Sequence, residues 1–175
     1  MEKGGNKKIK KQLKSRKSLS RLMAVQIFYQ HNFFNNNADL EKIKNDLIEN
    51  YALEEHEEIS SYRAEIDEDL LSTLVSGLSL YVKKIDDEIK TFLSEKQSLE
   101  KIDDLTLQIL RLAAFELKFM EQVPTNVVID EYVGIAASFF DNQKVTFVNA
   151  LIDAMAKKLR DLVILDAQHR GSHES

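Results

Sequence analysis

Apolar residues recur at three- and four-residue intervals along most of the chain, a period that predicts amphipathic α-helices. The first helix is predicted to begin at Ser15 or Ser18, because either hydroxyl is suited to accept a backbone N–H bond at a helix start. The Asn35–Asn37 segment predicts a turn, and Asp39 is expected to cap the second helix. The apolar stripes of these two helices are Leu19, Leu22, Met23, Ile27 and Phe28, then Leu40, Ile43, Leu47 and Tyr51.

Two long helices are predicted in the middle of the chain. One runs from about Glu68 to about Leu93 and contains Gly77. The other, from about Asp104 to about Met120, is apolar on most sides. Such a helix must be surrounded by other elements, so we predict that it is the central one.

The segment Val123–Thr125 separates the last two predicted helices from the central one. Pro124 cannot continue a helix, and Thr125 is expected to cap a helix that begins at Asn126. A polar link, residues 141–144, is predicted to lead into the last helix, which continues through Leu162.

Composition agrees with this helical pattern. One Pro and five Gly in 175 residues are too few for a fold of strands and tight turns. With 43% hydrophobic residues, the chain can bury one sizeable core. We therefore predict an all-α fold, a single-domain bundle of about six to seven helices.

Charge is distributed unevenly along the chain. Residues 1–21 contain nine Lys or Arg and one Glu; this segment carries +8 in a chain of net charge −5, which leaves −13 for the remainder. Such asymmetry indicates contact with a polyanion. Twelve acidic residues lie between Asp39 and Asp69, where we expect a solvated acidic surface. We divide the chain into a basic flexible arm at 1–17, a helical domain at 18–165 and a polar tail at 166–175.

Several classes of site are missing from the sequence. There is no Cys, which excludes disulfides, thiolate catalysis and Cys-based metal sites. The four His lie in predicted turns or in the tail without ligand spacing, and no glycine-rich phosphate-binding motif occurs, so we expect no metal and no cofactor. No apolar run approaches the roughly 20 residues needed to span a bilayer. The N-terminus also lacks the apolar stretch of a secretory signal, so we expect a cytoplasmic protein without membrane contact.

The basic N-terminal segment is the strongest candidate for a binding element. Basic tails are common and often only solubilise a protein, but here the charge continues into the first helix. Lys17 and Arg21 are predicted to share one helix face with Lys14. Tyr29 and Phe147 would offer stacking surfaces to unpaired bases, although both occur in apolar patterns and by default belong to the core. These features favour a nucleic acid as the polyanion.

Two segments carry a family resemblance. The first is Ser20–Gln30, SRLMAVQIFYQ, and the second is Val123–Leu159, VPTNVVIDEYVGIAASFFDNQKVTFVNALIDAMAKKL. Between them, LTLQILRLAAFEL at Leu105–Leu117 has the expected place and spacing. Over about residues 18–163 the chain resembles the NusB family of transcription antitermination factors. Three tripeptides, in this order and spacing, make the match specific: Val123-Pro124-Thr125, Ile129-Asp130-Glu131 and Phe147-Val148-Asn149.

The resemblance implies a fold and a function. The fold would be a helical bundle of two packed subdomains. The function would be to bind the single-stranded boxA element of nascent ribosomal RNA together with NusE, which is also a small-subunit ribosomal protein. The complex would join RNA polymerase and other Nus factors and suppress premature termination. The resemblance implies no enzymatic activity, and it allows either a monomer or a homodimer.

The resemblance also implies where RNA binds. The family's N-terminal RNA motif falls on Arg16, Lys17 and Arg21. Its second RNA-facing region falls on Gln143, Lys144, Thr146 and Phe147. The chain departs from the family pattern at Ser18 and Leu19, where members often have arginine, and at Ala150, where they have glycine. The lysine ammonium is a point charge, whereas the arginine guanidinium is planar and forked. The lysine-rich arm is therefore expected to retain affinity for RNA better than selectivity among bases.

Two alternative functions remain open from the sequence. A NusB-like domain also precedes the catalytic part of some ribosomal RNA cytosine methyltransferases. Such an enzyme needs a cofactor-binding α/β domain and a nucleophilic cysteine, and this chain has neither. The other alternative is a helical protein-interaction module whose lysine-rich segment has no role in RNA binding.

Overall fold

The helical periods of the sequence correspond to six α-helices in the described part of the chain, with no strand among them. The computed structural model describes residues 15–35, 37–54 and 66–171, with side chains over 15–35, 37–51 and 66–161. The basic residues before Ser15, including Lys14, and the end of the predicted tail lie outside these ranges. The predicted all-α class and number of helices are confirmed. The helices are α1 Arg16–Phe33, α2 Leu40–Glu54, α3 Glu68–Lys90, α4 Asp104–Phe119, α5 Thr125–Phe139 and α6 Asn142–Gly171.

Short polar side chains begin most of these helices. Ser15 caps α1 by accepting a bond from the Ser18 backbone N–H at 3.2 Å, so the first of the two predicted caps is the one used. Four helices begin at an aspartate whose carboxylate accepts a backbone N–H of the first turn, which satisfies a donor that has no partner within the helix. These residues are Asp39 before α2, Asp67 before α3, Asp103 before α4 and Asp141 before α6.

Several helix boundaries differ from the predicted ones. Thr125 is the first residue of α5 rather than its cap, because the Pro124 carbonyl already accepts the Val127 and Val128 N–H groups at 3.0 and 3.2 Å. The predicted polar link at 141–144 is mostly helix, since the Asp141 cap starts α6 at Asn142. At its other end, α6 continues to Gly171, into the segment predicted as a tail. None of the described helices is long and apolar enough to cross a membrane.

The chain divides into two compact units, Met1–Gly77 and Leu78–Ser175, with the boundary inside α3. In the first unit, α1 packs against α2 and is buried from Ser18 through Val25. Side chains at the start of α1 bond to the backbone just before α3. Arg16 Nη2 donates to the Ile66 carbonyl at 3.2 Å, and the Ser20 hydroxyl lies 2.8 Å from the Asp67 carbonyl.

In the second unit, α4 is the central helix, as predicted. Every residue from Thr106 to Leu117 except Arg111 is buried. Helices α5 and α6 pack against α4 and against each other. A helix that is apolar on most sides can be stable in water only when it is surrounded in this way.

The charged residues within α4 have partners. The guanidinium of Arg111 donates to both carboxylate oxygens of Asp86 on α3, from Nε at 2.7 Å and from Nη2 at 2.8 Å. This is the bidentate geometry in which an arginine–carboxylate pair is strongest. Glu116 is fully buried, and the Tyr132 hydroxyl on α5 donates to its Oε2 at 2.6 Å. Polar bonds thus link α4 to a helix on each side.

Arg160 on α6 holds the corner between α4 and α5. Its Nη1 donates to the Glu121 carbonyl at 3.1 Å and its Nη2 to the Val123 carbonyl at 2.9 Å, with the Met120 carbonyl at 3.4 Å. Burial lowers the pKa of the guanidinium, and the charges of Glu121 and Glu116 oppose that shift. The positive group therefore occupies the negative C-terminal end of α4, where a helix leaves carbonyl groups without partners.

We expect Arg160→Lys to lower the free energy of unfolding by about 1–2 kcal/mol. A lysine ammonium lacks the planar, forked shape with which the guanidinium bonds to several carbonyls at once. Urea denaturation followed by circular dichroism measures the change. Lys157→Gln is the control on the same helix, since Lys157 is exposed and its ion pair among the described residues is with Asp153, one turn away. If both variants were as stable as the wild type, the bonds from Arg160 to the segment between α4 and α5 would not contribute to stability.

Candidate nucleic-acid interface

The predicted RNA residues of the N-terminal unit lie at the start of α1. Arg16 and Lys17 are exposed, directly after the Ser15 cap. Arg21, one turn further on, is only 2% exposed. The exposed basic surface in this part of α1 therefore consists of Arg16 and Lys17. RNA contact by these three residues stays a prediction.

Tyr29, one of the two aromatic residues considered for base stacking, is more exposed than its apolar pattern indicated. Tyr29 is 40% exposed, near the C-terminal end of α1. Phe33, one turn later, is more exposed still. Both rings lie on one helix face, since residues four apart are neighbours on an α-helix. The expectation that Tyr29 belongs to the core is wrong.

The predicted RNA residues of the C-terminal unit lie around an open cavity of about 410 Å³. Gln143, Lys144 and Phe147 line it, whereas Thr146 does not. Thr146 is exposed, and its hydroxyl donates to the Asn142 carbonyl at 2.8 Å. The residues that line the cavity come from the segment before α4 and from the starts of α4 and α6: Lys96, Gln97, Ser98, Lys101, Ile102, Asp103, Thr106, Asp141, Gln143, Lys144 and Phe147.

Helix α6 determines how Phe147 meets this cavity. Val148 and Ile152 are fully buried and fix the core face of the helix. Gln143 and Lys144 lie four and three residues before Phe147, so both are neighbours of Phe147 on the helix surface, beside the core face. Phe147 is half-buried. Its ring is thus supported by the protein and also borders the cavity, a suitable position for stacking on a base.

One ion pair crosses the cavity. The Lys144 ammonium is bonded to Asp103 Oδ2, and it also lies 5.2 Å from the centre of the Phe140 ring. Partial burial acts to raise the pKa of the Asp103 carboxyl. The bonds from Lys144 and from the Thr106 N–H and hydroxyl outweigh that effect, so the pKa lies below its usual range. Asp103 is therefore a carboxylate at neutral pH and holds Lys144 as a counter-ion.

The sequence-based prediction did not include the cavity residues that lie before and at the start of α4. Lys96 and Lys101 bring two further positive charges to the cavity, and Asp103 and Thr106 form its α4 side. The local signal was present, because Lys96 precedes a short 3-10 turn, Leu99–Lys101, and Lys101 ends this turn just before a capping aspartate. What the sequence does not show is that this turn lies beside the start of α6, some 40 positions later.

The residues around the cavity suit a nucleic acid. Lysine ammonium groups bind phosphate, and an aromatic ring supports an unpaired base. Among the described residues no group of three or more His, Cys, Asp or Glu is arranged to hold a metal ion. The arrangement provides two kinds of contact that a single strand needs.

Comparison with known proteins gives consistent matches. The NusB family model matches residues 18–157. The chain is 35% identical over 145 residues to the transcription antitermination protein NusB of Caulobacter vibrioides, which covers 83% of this chain and 95% of that protein. The structure of T. maritima NusB matches with a TM-score of 0.64 and 30% identity, over 81% of this chain and 90% of that one.

A further solved structure shares the fold. It contains the antitermination factors NusB and NusE in complex with double-stranded RNA, and it matches with a TM-score of 0.66 at 20% identity, over 83% of this chain and 98% of that one. The fold and the matches place this chain among the all-helical transcription antitermination proteins. It belongs to the NusB family. The resemblance found in the sequence is thereby confirmed.

Proposed function

We propose that this chain is an RNA-binding adaptor in transcription antitermination. It binds a boxA-type single-stranded segment of ribosomal RNA together with NusE, and it joins RNA polymerase and other Nus factors in the cytoplasm. Family membership supports the role in antitermination. The observation that carries RNA binding is the cavity beside Phe147, which brings an accessible ring and three lysines together.

In this proposal the two kinds of contact have separate tasks. Phosphates bind the lysines of the cavity and, separately, the exposed Arg16 and Lys17 with the basic arm at 1–17. An unpaired base stacks on Phe147. Single-stranded RNA is recognised through bases turned away from their neighbours, which an aromatic ring then supports. The related structure that contains NusB, NusE and RNA supports an RNA-binding role for the fold.

The acidic remainder of the chain fits a basic protein partner. Beyond residue 21 the chain carries a net charge of −13, as the whole chain carries −5 and the first 21 residues carry +8. Ribosomal proteins that bind RNA are generally basic, so charge complementarity favours NusE as the partner of this part of the chain. The basic arm and the acidic helices then bind different molecules.

The test of RNA binding is fluorescence anisotropy with a boxA-like single strand, a scrambled strand and a duplex over a series of salt concentrations. If Z phosphates are bound, the logarithm of the affinity should fall with the logarithm of salt at a slope of about −0.7Z for the single strand. The double variant Arg16→Gln, Lys17→Gln should bind more weakly, with a slope shallower by about 1.4.

The matched control removes two lysines that lie elsewhere in the described structure. Lys90→Gln, Lys157→Gln changes the net charge by the same amount at two exposed sites, and its slope should equal that of the wild type. Absent or salt-independent binding would favour a protein-interaction module without RNA. Tighter binding to the duplex than to either single strand would overturn the single-stranded part of the proposal.

The partner proposal has its own experiment. A chain that lacks residues 1–14 retains the Ser15 cap of α1, and we expect it to capture NusE as well as the full chain does in a pull-down assay. Loss of NusE from the shortened chain would place the partner site on the basic arm. The same shortened chain should bind the single-stranded RNA more weakly, which distinguishes the two surfaces.

A further inference from the structure

We propose that Asp103 determines how strongly this protein binds RNA, because its carboxylate holds the Lys144 ammonium as an internal substitute for a phosphate. The proposal rests on the RNA-binding function proposed above. A strand that enters the cavity must displace the Asp103 carboxylate from the Lys144 ammonium before a phosphate can bind there. Removal of the carboxylate alone should therefore strengthen binding.

The contacts of Asp103 separate its structural role from its role toward Lys144. Its Oδ1 accepts the Thr106 N–H at 3.0 Å and caps α4. Its Oδ2 accepts the Thr106 hydroxyl at 2.9 Å and is also the atom bonded to Lys144. An asparagine keeps the capping oxygen, and a hydroxyl can turn to accept a bond from the amide nitrogen. That nitrogen cannot accept a bond from an ammonium, so Asp103→Asn breaks only the contact with Lys144.

Exposure of the ion pair allows a strand to displace Asp103. The side chains of Lys144 and Asp103 are 37% and 41% exposed. Pairs this accessible to water are weak and easily exchanged. Lys144 also lies over the Phe140 ring, at 5.2 Å from its centre. This second contact keeps the ammonium at the cavity once Asp103 has been neutralised, so the freed charge remains available to a phosphate.

The consequence is a lower affinity for phosphate than the three lysines of the cavity indicate. In the wild type, the charge of Lys144 is already neutralised by Asp103. A phosphate that binds Lys144 therefore gains only the difference between its own binding free energy and that of the carboxylate. Lys96 and Lys101 have no carboxylate partner among the described ion pairs, although Lys101 Nζ lies 3.5 Å from the Lys96 carbonyl. Asp103 thus favours strands that also stack a base on Phe147 over strands that offer phosphates alone.

The experiment compares the wild type, Asp103→Asn, Lys144→Gln and the double variant, by anisotropy with a boxA-like strand at several salt concentrations. We expect Asp103→Asn to bind about two- to fivefold more tightly, as suits a weak surface pair. Its salt slope should match that of the wild type, because Lys144 binds a phosphate in both complexes. In the Lys144→Gln background, Asp103→Asn should change neither the affinity nor the slope.

Controls keep the outcomes distinct. Asp39→Asn makes the same substitution at the cap of α2, outside the cavity, and should leave binding unchanged. Thermal unfolding verifies the fold of each variant, and Asp103→Ser supplies a second neutral cap. Wild-type binding with no gain in Asp103→Asn overturns the role of Asp103, as does a gain that persists in the Lys144→Gln background. If the wild type fails to bind RNA, the proposed function itself fails, and this inference fails with it.

Discussion

Replacement of Tyr132 by phenylalanine should lower the free energy of unfolding by about 2–3 kcal/mol, as expected for the loss of a hydrogen bond to a buried carboxylate. Both side chains of the pair are fully buried, and the Tyr132 hydroxyl lies 2.6 Å from Glu116 Oε2. In the variant, Glu116 remains out of water but loses this short donor. Chemical denaturation followed by circular dichroism measures the change.

Two comparisons show whether the effect belongs to this bond. Tyr81→Phe removes a hydroxyl from a partly exposed ring in the same unit, which stacks on Phe119, and should change stability by less than about 0.5 kcal/mol. In a Glu116→Gln background, Tyr132→Phe should be less harmful, because the two residues are coupled. A Tyr132→Phe protein as stable as the wild type would show that the bond does not hold α5 to α4.

The helical fold was predictable because its cause lies within each segment. Helix α4 has apolar residues on most sides, and that alone required other helices to surround it. The Asp39 cap and the break at Pro124 follow from side-chain chemistry over a few residues. The errors at Thr125 and at the 141–144 link are of the same local kind. In each case the group that accepts the first backbone N–H bonds lies earlier in the chain than expected. It is the Pro124 carbonyl for α5 and the Asp141 carboxylate for α6.

The candidate interface was less predictable because it depends on contacts between distant segments. The predicted site contained Gln143, Lys144, Thr146 and Phe147, and the structure places all of these except Thr146 around one cavity. It did not find Asp103, since nothing in the sequence shows that the start of α4 lies beside the start of α6. The burial of Arg21 was missed for the same reason. A charged residue in an amphipathic pattern is expected at the surface unless a long-range contact covers it.

Phe147→Leu should weaken binding of the boxA-like strand about tenfold, within the range of about 1–3 kcal/mol that stacking of one base on an aromatic ring contributes. Phe147 is half-buried at the cavity, directly before the fully buried Val148. Leucine retains most of the apolar packing but lacks the flat π-face. The salt dependence should not change, because no charge is removed. Anisotropy over the same salt series measures both quantities.

Phe147→Tyr is the conservative variant, and it should bind nearly as well as the wild type because the ring is retained. Phe92→Leu is the matched control. Phe92 is also half-buried in the C-terminal unit and has Lys158 over its ring, 5.2 Å from the centre, but it does not line the cavity. If Phe147→Leu bound as tightly as the wild type with an unchanged salt slope, phosphate contacts alone would account for binding. If Phe147→Leu and Phe92→Leu weakened binding equally, the loss would reflect a general effect of removing a ring rather than a base stacked in the cavity.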